Sequence, residues 1–181
     1  PPLVYITGYT LKSTPDWPTT TGFINQGSND VFVARFDTNA PVPLNTLNMS
    51  TLVGGAANDH ASAIKVNPVG SFSGIYITGW CGQDTVAAIE DFAASNPTFD
   101  ATHNGGTYDM FVMRLNLPGT GYFFSTFVGT PGTDQAYDIF ESAAYVWVVG
   151  QTDNAAFPVV AGSFDTSLAG QDAVAMRMDT L

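Results

Sequence analysis

Any chemistry done by this chain would have to come from very few side chains. It has two histidines, His60 and His103, and one cysteine, Cys81. No His-x-His or Cys-x-x-Cys spacing links them, so a transition-metal site has no framework. A serine nucleophile of the Gly-x-Ser-x-Gly kind has no matching turn. Glu90-Asp91 is the one adjacent carboxylate pair; on the helix expected over Asp84–Ala94, capped by Asp84, consecutive residues do not share a face. That suits a solvated surface better than paired acid–base work. Calcium is the one cofactor the composition leaves room for. Its hard-oxygen candidates are Asp30, Asp134 and Asp138, although no Asp-x-Asp-x-Asp-Gly loop occurs. Cys81, after Trp80, reads as a small buried apolar residue rather than a reactive thiol. Trp17 lies in a loop and is the candidate for stacking on a glycan, whereas Trp147 stands where Tyr5 and Tyr76 stand in a repeat and is assigned to the core. Asn48-Met49-Ser50 is a glycosylation acceptor triplet.

These residues must be positioned by elements that recur. Tyr5-Ile6-Thr7-Gly8 returns as Tyr76-Ile77-Thr78-Gly79 and again as Trp147-Val148-Val149-Gly150, 71 residues apart each time. Asp30–Asp37 aligns with Asp109–Asn116 and with Asp172–Asp179, and all three arginines, Arg35, Arg114 and Arg177, fall at one equivalent post. Ser50-Thr51-Leu52-Val53-Gly54 matches Ser125-Thr126-Phe127-Val128-Gly129, with Asp59 and Asp134 five residues beyond each glycine. Trp17-Pro18 corresponds to Phe157-Pro158. A fixed long period in β-type runs is the mark of a repeat architecture.

Alternation and β-branched content predict ten strands of four recurring kinds: Leu3–Thr10, Asp30–Asp37, Leu47–Val53, Ala61–Val66, Ile75–Trp80, Asp109–Asn116, Tyr122–Val128, Ala136–Glu141, Tyr145–Gln151 and Asp172–Asp179. Four short strands per unit, with turns between most of them, imply antiparallel sheets set side by side. A residue needed once per unit reads as architecture. Arg35, Arg114 and Arg177 are therefore expected to pair or pack between sheets, with Asp37, Asn116 and Asp179 or with a neighbouring unit. Asp30, Asp109 and Asp172, with Asp59 and Asp134, are expected to cap turn amides.

The succession Tyr-Ile-Thr-Gly, aromatic-Pro, Asp-x-x-x-x-Arg, Ser-Thr-x-x-Gly-Gly and a downstream Asp resembles the bacterial β-propeller repeat family abbreviated SBBP, over nearly the whole chain. Three features depart from it: Gly129-Thr130 in place of Gly-Gly, a longer Cys81–Tyr108 connection, and an incomplete third unit. The resemblance implies an all-β, propeller-type fold of about two and a half four-stranded antiparallel blades belonging to a larger ring or assembly. The boundaries drawn are residues 1–60 for a blade lacking its first strand, 61–135 for a complete one, and 136–181 for one lacking its last. It also implies a large secreted or surface-attached protein with no general catalytic assignment.

Composition sets the remaining bounds. At 181 residues, 45% hydrophobic and 13% aromatic, the chain can fill a core. Its net charge of −11 repels phosphate backbones and anionic lipid, which disfavours nucleic-acid binding. No apolar run approaches the roughly 20 residues of a membrane helix. Few lysines, abundant threonine and asparagine and a pI near 4.1 favour an extracellular or cell-surface address, and Cys81, being alone, allows no intrachain disulfide. The opening Pro1-Pro2-Leu3, directly before a strand, reads as a piece of something larger. Two and a half blades do not close a ring, so apolar flanks at both ends should meet further blades or other copies of the chain. The expected function is non-catalytic: a structural or adhesive module. A glycan- or calcium-binding propeller is the alternative, and a secreted glycan-active enzyme with its catalytic groups on other blades stands third.

Overall fold

The computed structural model describes residues 3–11, 17–20, 28–39, 46–83, 99–142 and 144–179. Among them all regular structure is strand: β1 (Leu3–Leu11), β2 (Asn29–Asp37), β3 (Thr46–Val53), β4 (Asp59–Asn67), β5 (Gly74–Gly82), β6 (Tyr108–Leu115), β7 (Tyr122–Val128), β8 (Asp134–Ser142), β9 (Tyr145–Thr152) and β10 (Asp172–Asp179). They form three antiparallel sheets, ordered β1-β2-β3, β4-β5-β6-β7 and β10-β9-β8. The helix expected over Asp84–Ala94, with Glu90-Asp91, lies outside the described residues. No helix of the described residues is long and apolar enough to cross a membrane.

The first, second and third sheets, so numbered along the chain, stack face to face. Successive side chains on a strand point to opposite faces, so Ile75 and Ile77 leave β5 on one side and Tyr76 on the other. The first side meets Val31, Val33, Met49 and Val53 of the first sheet in one core, together with Phe111, Met113 and Leu115. The second side, Tyr76, Met110, Val112 and Phe124, meets Ala136, Ile139, Val146 and Val148 of the third sheet in another. The middle sheet is thus covered twice, and full burial of each such side chain is worth roughly 1.5–3 kcal/mol. Close contact between sheets runs through β4, which lies against β1, β2 and β8, and through β8, which also lies against β5 and β6.

The repeated residues have local reasons. Thr7 Oγ1 donates to Phe32 O at 2.8 Å and Thr78 Oγ1 to Phe111 O at 2.7 Å, so the same hydroxyl ties the same strand pair in two sheets. β4 and β8 each carry an irregularity, between Ala61 and Ala63 and between Ala136 and Asp138. These bulges push the carbonyls of His60 and Gln135 toward the neighbouring strand, where a Cβ on Gly79 or Gly150 would collide with them. Through the bulged segments β4 and β8 also start two residues before the strands read from sequence, with Asp59 opposite Cys81 and Asp134 opposite Thr152.

The outer edges of the first and second sheets, β3 and β7, are covered. Thr20 N donates to Ser50 O (2.9 Å) and Ser50 N to Thr20 Oγ1 (2.7 Å) along β3. Phe127 N donates to Asp100 O (3.0 Å) and Asp100 N to Thr126 Oγ1 (2.8 Å) along β7. Equivalent loops therefore satisfy equivalent edges that would otherwise template unwanted pairing.

Candidate functional site

The candidate surfaces are the two outer flanks of the stack. On the far side of the third sheet, β8, β9 and β10 present Phe140, Trp147, Val149 and Arg177 to solvent, and Trp147 is 45% exposed. Trp147, expected in the core, is corrected by this: it does hold the post of Tyr76, but no further sheet among the described residues lies over it. On the far side of the first sheet Val4 and Ile6 are 45% and 39% exposed, while their counterparts Ile75, Ile77, Val146 and Val148 are buried. One flank therefore repeats the pattern that faces forward at both internal joints, and the other repeats the pattern that faces back.

The arginines have closely related surroundings. Arg35 lies opposite Tyr5, Arg114 opposite Tyr76 and Arg177 opposite Trp147 in the strand registers. Each guanidinium sits over that ring, 5.9, 5.6 and 5.8 Å from its centre. Arg35 reaches the next sheet, donating to Leu117 O at 3.0 Å as well as to Asn48 Oδ1 at 2.7 Å. Arg114 is buried, donates to Ser71 O and Ser73 O, and stacks on Phe123 at 4.2 Å. Arg177 is exposed, with Tyr145 at 4.6 Å. The partners of Arg35 and Arg114 are carbonyls, an amide and rings, not Asp37 and Asn116. For Arg35 the other expected partner, a neighbouring unit, is the one met, through Leu117 O.

The recurring aspartates sit at turns. Asp59 Oδ2 accepts from Gly55 N and Asp134 Oδ2 from Thr130 N, both at 2.7 Å. Asp109 Oδ2 accepts from Asn104 N at 2.6 Å, and Asp172 Oδ2 from Ala169 N at 3.1 Å. Asp30 and Asp109 each face the glycine ending their sheet's last strand, where a Cβ on Gly54 or Gly129 would strike the carboxylate. Burial pushes the Asp109 carboxyl up to about 7, helped by the charges of Asp134 and Asp100 and opposed by the Asn104 amide. His103 Nε2 lies 3.8 Å from its Oδ1.

The calcium candidates do not converge. Asp30 is buried in the first sheet, Asp134 is buried at the start of β8, and Asp138 is exposed with its Oδ1 accepting from Ile139 N. Among the described residues no three His, Cys, Asp or Glu side chains gather as a metal would need. Cys81 is buried. Asn48 is exposed on β3. Trp17 is half-buried on the outer flank of the first sheet, its ring tilted on Phe32 and its Nε1 donating to Ser50 Oγ at 3.0 Å. Its counterpart Phe157 is buried between the second and third sheets, which places Trp17 among flank residues.

One group was not singled out by sequence reasoning. Tyr9, His60, Trp80 and Tyr137 form a run of rings at one end of the strands, crossing all three sheets. Their centroids follow at 3.9, 5.1 and 6.5 Å, and Tyr108 lies 6.4 Å from Trp80. The signal available was a break in the repeat: Tyr9, Trp80 and Gln151 share one post, and His60 and Gln135 share another. No family model matches the chain, and no curated protein matches it.

Proposed function

We propose that this chain is a non-catalytic structural or adhesive module of propeller-type repeats, working at or outside the cell surface, whose open flanks join it head to tail to another copy. The observation that carries the reading is the equivalence of flanks. Trp147, Val149 and Arg177 hold the posts of Tyr76, Thr78 and Arg114, which the third sheet buries through Val146 and Val148. Val4 and Ile6 hold the posts of Val146 and Val148. The rear pattern that would cover the third sheet is therefore carried by the first sheet of a second molecule. Such contacts are heterologous, and they generate rings or filaments. The blade reading is supported by close contact between sheets along β4 and β8, and by the sequence likeness to the SBBP repeats. The exterior address is supported by the net charge of −11 and the scarcity of lysine.

Sedimentation velocity over a concentration series tests the reading. Species heavier than the 19.2 kDa monomer should grow with concentration, and more so in salt, which screens the repulsion between acidic copies. A single 19.2 kDa species at every concentration and salt would overturn it.

A further inference from the structure

We infer that the run of rings formed by Tyr9, His60, Trp80 and Tyr137 is a binding platform for a neutral oligosaccharide. Tyr9 is 52% and Tyr137 45% exposed, and His60 and Trp80 between them are half-buried, so the run is open at both ends.

In the third sheet, at the posts of Trp80 and His60, stand Gln151 and Gln135, which join through Gln151 Nε2 to Gln135 Oε1 at 3.0 Å. The strand register there, with Gln135 opposite Gln151, matches that of His60 opposite Trp80. Two amides thus hold the same register on the open forward face of the third sheet, while the partly buried aromatics stand where neighbouring sheets meet, Tyr9 on His60 and Trp80 beside Tyr137. Tyr137 is the extra residue of the β8 bulge, and Ser62 holds the same place in β4. Ser62 uses its hydroxyl to bind Ala136 O at 2.7 Å, whereas Tyr137 adds an aromatic ring.

The chemistry selects the ligand class. Aromatic faces carry negative quadrupole charge and take the apolar, C–H-bearing face of a pyranose, while amides at the rim take its hydroxyls. Tyr9 and His60 lie face to face, 16° from parallel, so the ring surface left for a sugar is that of the exposed Tyr9 and Tyr137. Asn29, Gln135 and Gln151 supply such amides; Asn29 Nδ2 lies 3.5 Å from His60 Nε2, and Tyr137 Oη lies 3.3 Å from Gln135 Oε1. Burial lowers the affinity of His60 for a proton, so this ring joins the stack uncharged at neutral pH. A nucleic acid would meet the repulsion of the whole chain at −11.

The test is isothermal titration of the whole chain with the β-1,4-linked hexasaccharides of glucose, N-acetylglucosamine and mannose, and with tetramethylammonium. At least one hexasaccharide should bind. Trp80→Gln should weaken it by about three- to tenfold, because the ring that His60 and Tyr137 pack against is lost. Val69→Ser, in the exposed turn at the opposite end of β4 and β5, should leave it unchanged. Trp80→Gln installs the residue the third sheet already tolerates at that post. If its melting transition is nonetheless lost, Tyr9→Ala, at an exposed ring, gives the same readout. Binding by none of the sugars, binding of tetramethylammonium alone, or sugar binding indifferent to these variants in folded protein would overturn the assignment. A monomeric chain that still binds sugar through Trp80 would leave it standing and sink only head-to-tail assembly.

Discussion

The forward faces of the second and third sheets are built alike and end up in opposite surroundings. Tyr76 and Trp147 occupy the same post, each under an arginine at nearly the same distance, 5.6 and 5.8 Å. Tyr76 is fully buried, its hydroxyl donating to Phe72 O at 2.7 Å, while Trp147 stands half in solvent. Burial in this fold therefore follows from having a neighbouring sheet and not from residue type. A face made to be covered has the same composition whether or not it is covered, and that is why the open one reads as an interface.

The sharpest way to break this comparison is to truncate both posts. Tyr76→Ala should cost about 3–5 kcal/mol, from lost burial and the cavity left behind. Trp147→Ala should cost the monomer less, roughly 1–2.5 kcal/mol, because about half its surface is already wet. Urea denaturation at low protein concentration measures both. Equal losses would show that the two faces are not the same face in two states.

Glycine substitutions come next. Gly79→Ala drives a methyl into the His60 carbonyl of the β4 bulge and should cost roughly 2–3 kcal/mol. At Gly8 the nearest atoms belong to the edge of the Phe32 ring, at 2.9 Å, and a side chain can yield where backbone cannot. Gly8→Ala should cost about 1 kcal/mol or less. Thermal or urea melts that rank Gly8→Ala as the worse of the two would contradict the bulge argument.

Asp109 gives the smallest effect and one that depends on pH. Its carboxyl ionises near 3.8 in an ordinary setting and is raised to about 7 in the fold. At pH below about 4 both states hold the proton and the stability is complete. Between about 4 and 7 the unfolded chain releases the proton while the folded one keeps it, so stability falls as pH rises, then levels. Asp109→Asn removes that decline and keeps an acceptor for Asn104 N. It should gain roughly 1–3 kcal/mol relative to the parent on going from pH 4 to pH 8. A constant difference across that range would place the cause elsewhere.

Much of this fold could be read in the residues because it is written more than once. The three alignments around Tyr5, Arg35 and Ser50 located all ten strands to within two residues, since each copy corrected the others. The bulges at Ser62 and Tyr137 were not legible, as neither is flagged by Gly or Pro and both are surrounded by ordinary strand residues. Trp147 was assigned to the core for the reason that made the alignment work: a repeat shows what a face is made of and is silent on whether another sheet lies over it. The aromatic run was missed for the converse reason. Its residues come from β1, β4, β5 and β8, and averaging over repeats hides the posts at which copies differ.

The most direct measurement of the central claim mixes two blocked chains. Ile6→Asp closes the rear flank and Trp147→Asp the forward one, each by setting a charge on an apolar face. Each variant alone should sediment as a monomer or short of the parent's assemblies, and an equimolar mixture should form a heterodimer that grows no further, because one open rear face meets one open forward face. If instead the Ile6→Asp chain assembles as well as the parent, or the mixture stays monomeric while the parent assembles, the flanks are not complementary copies of the internal joint and the head-to-tail account is wrong.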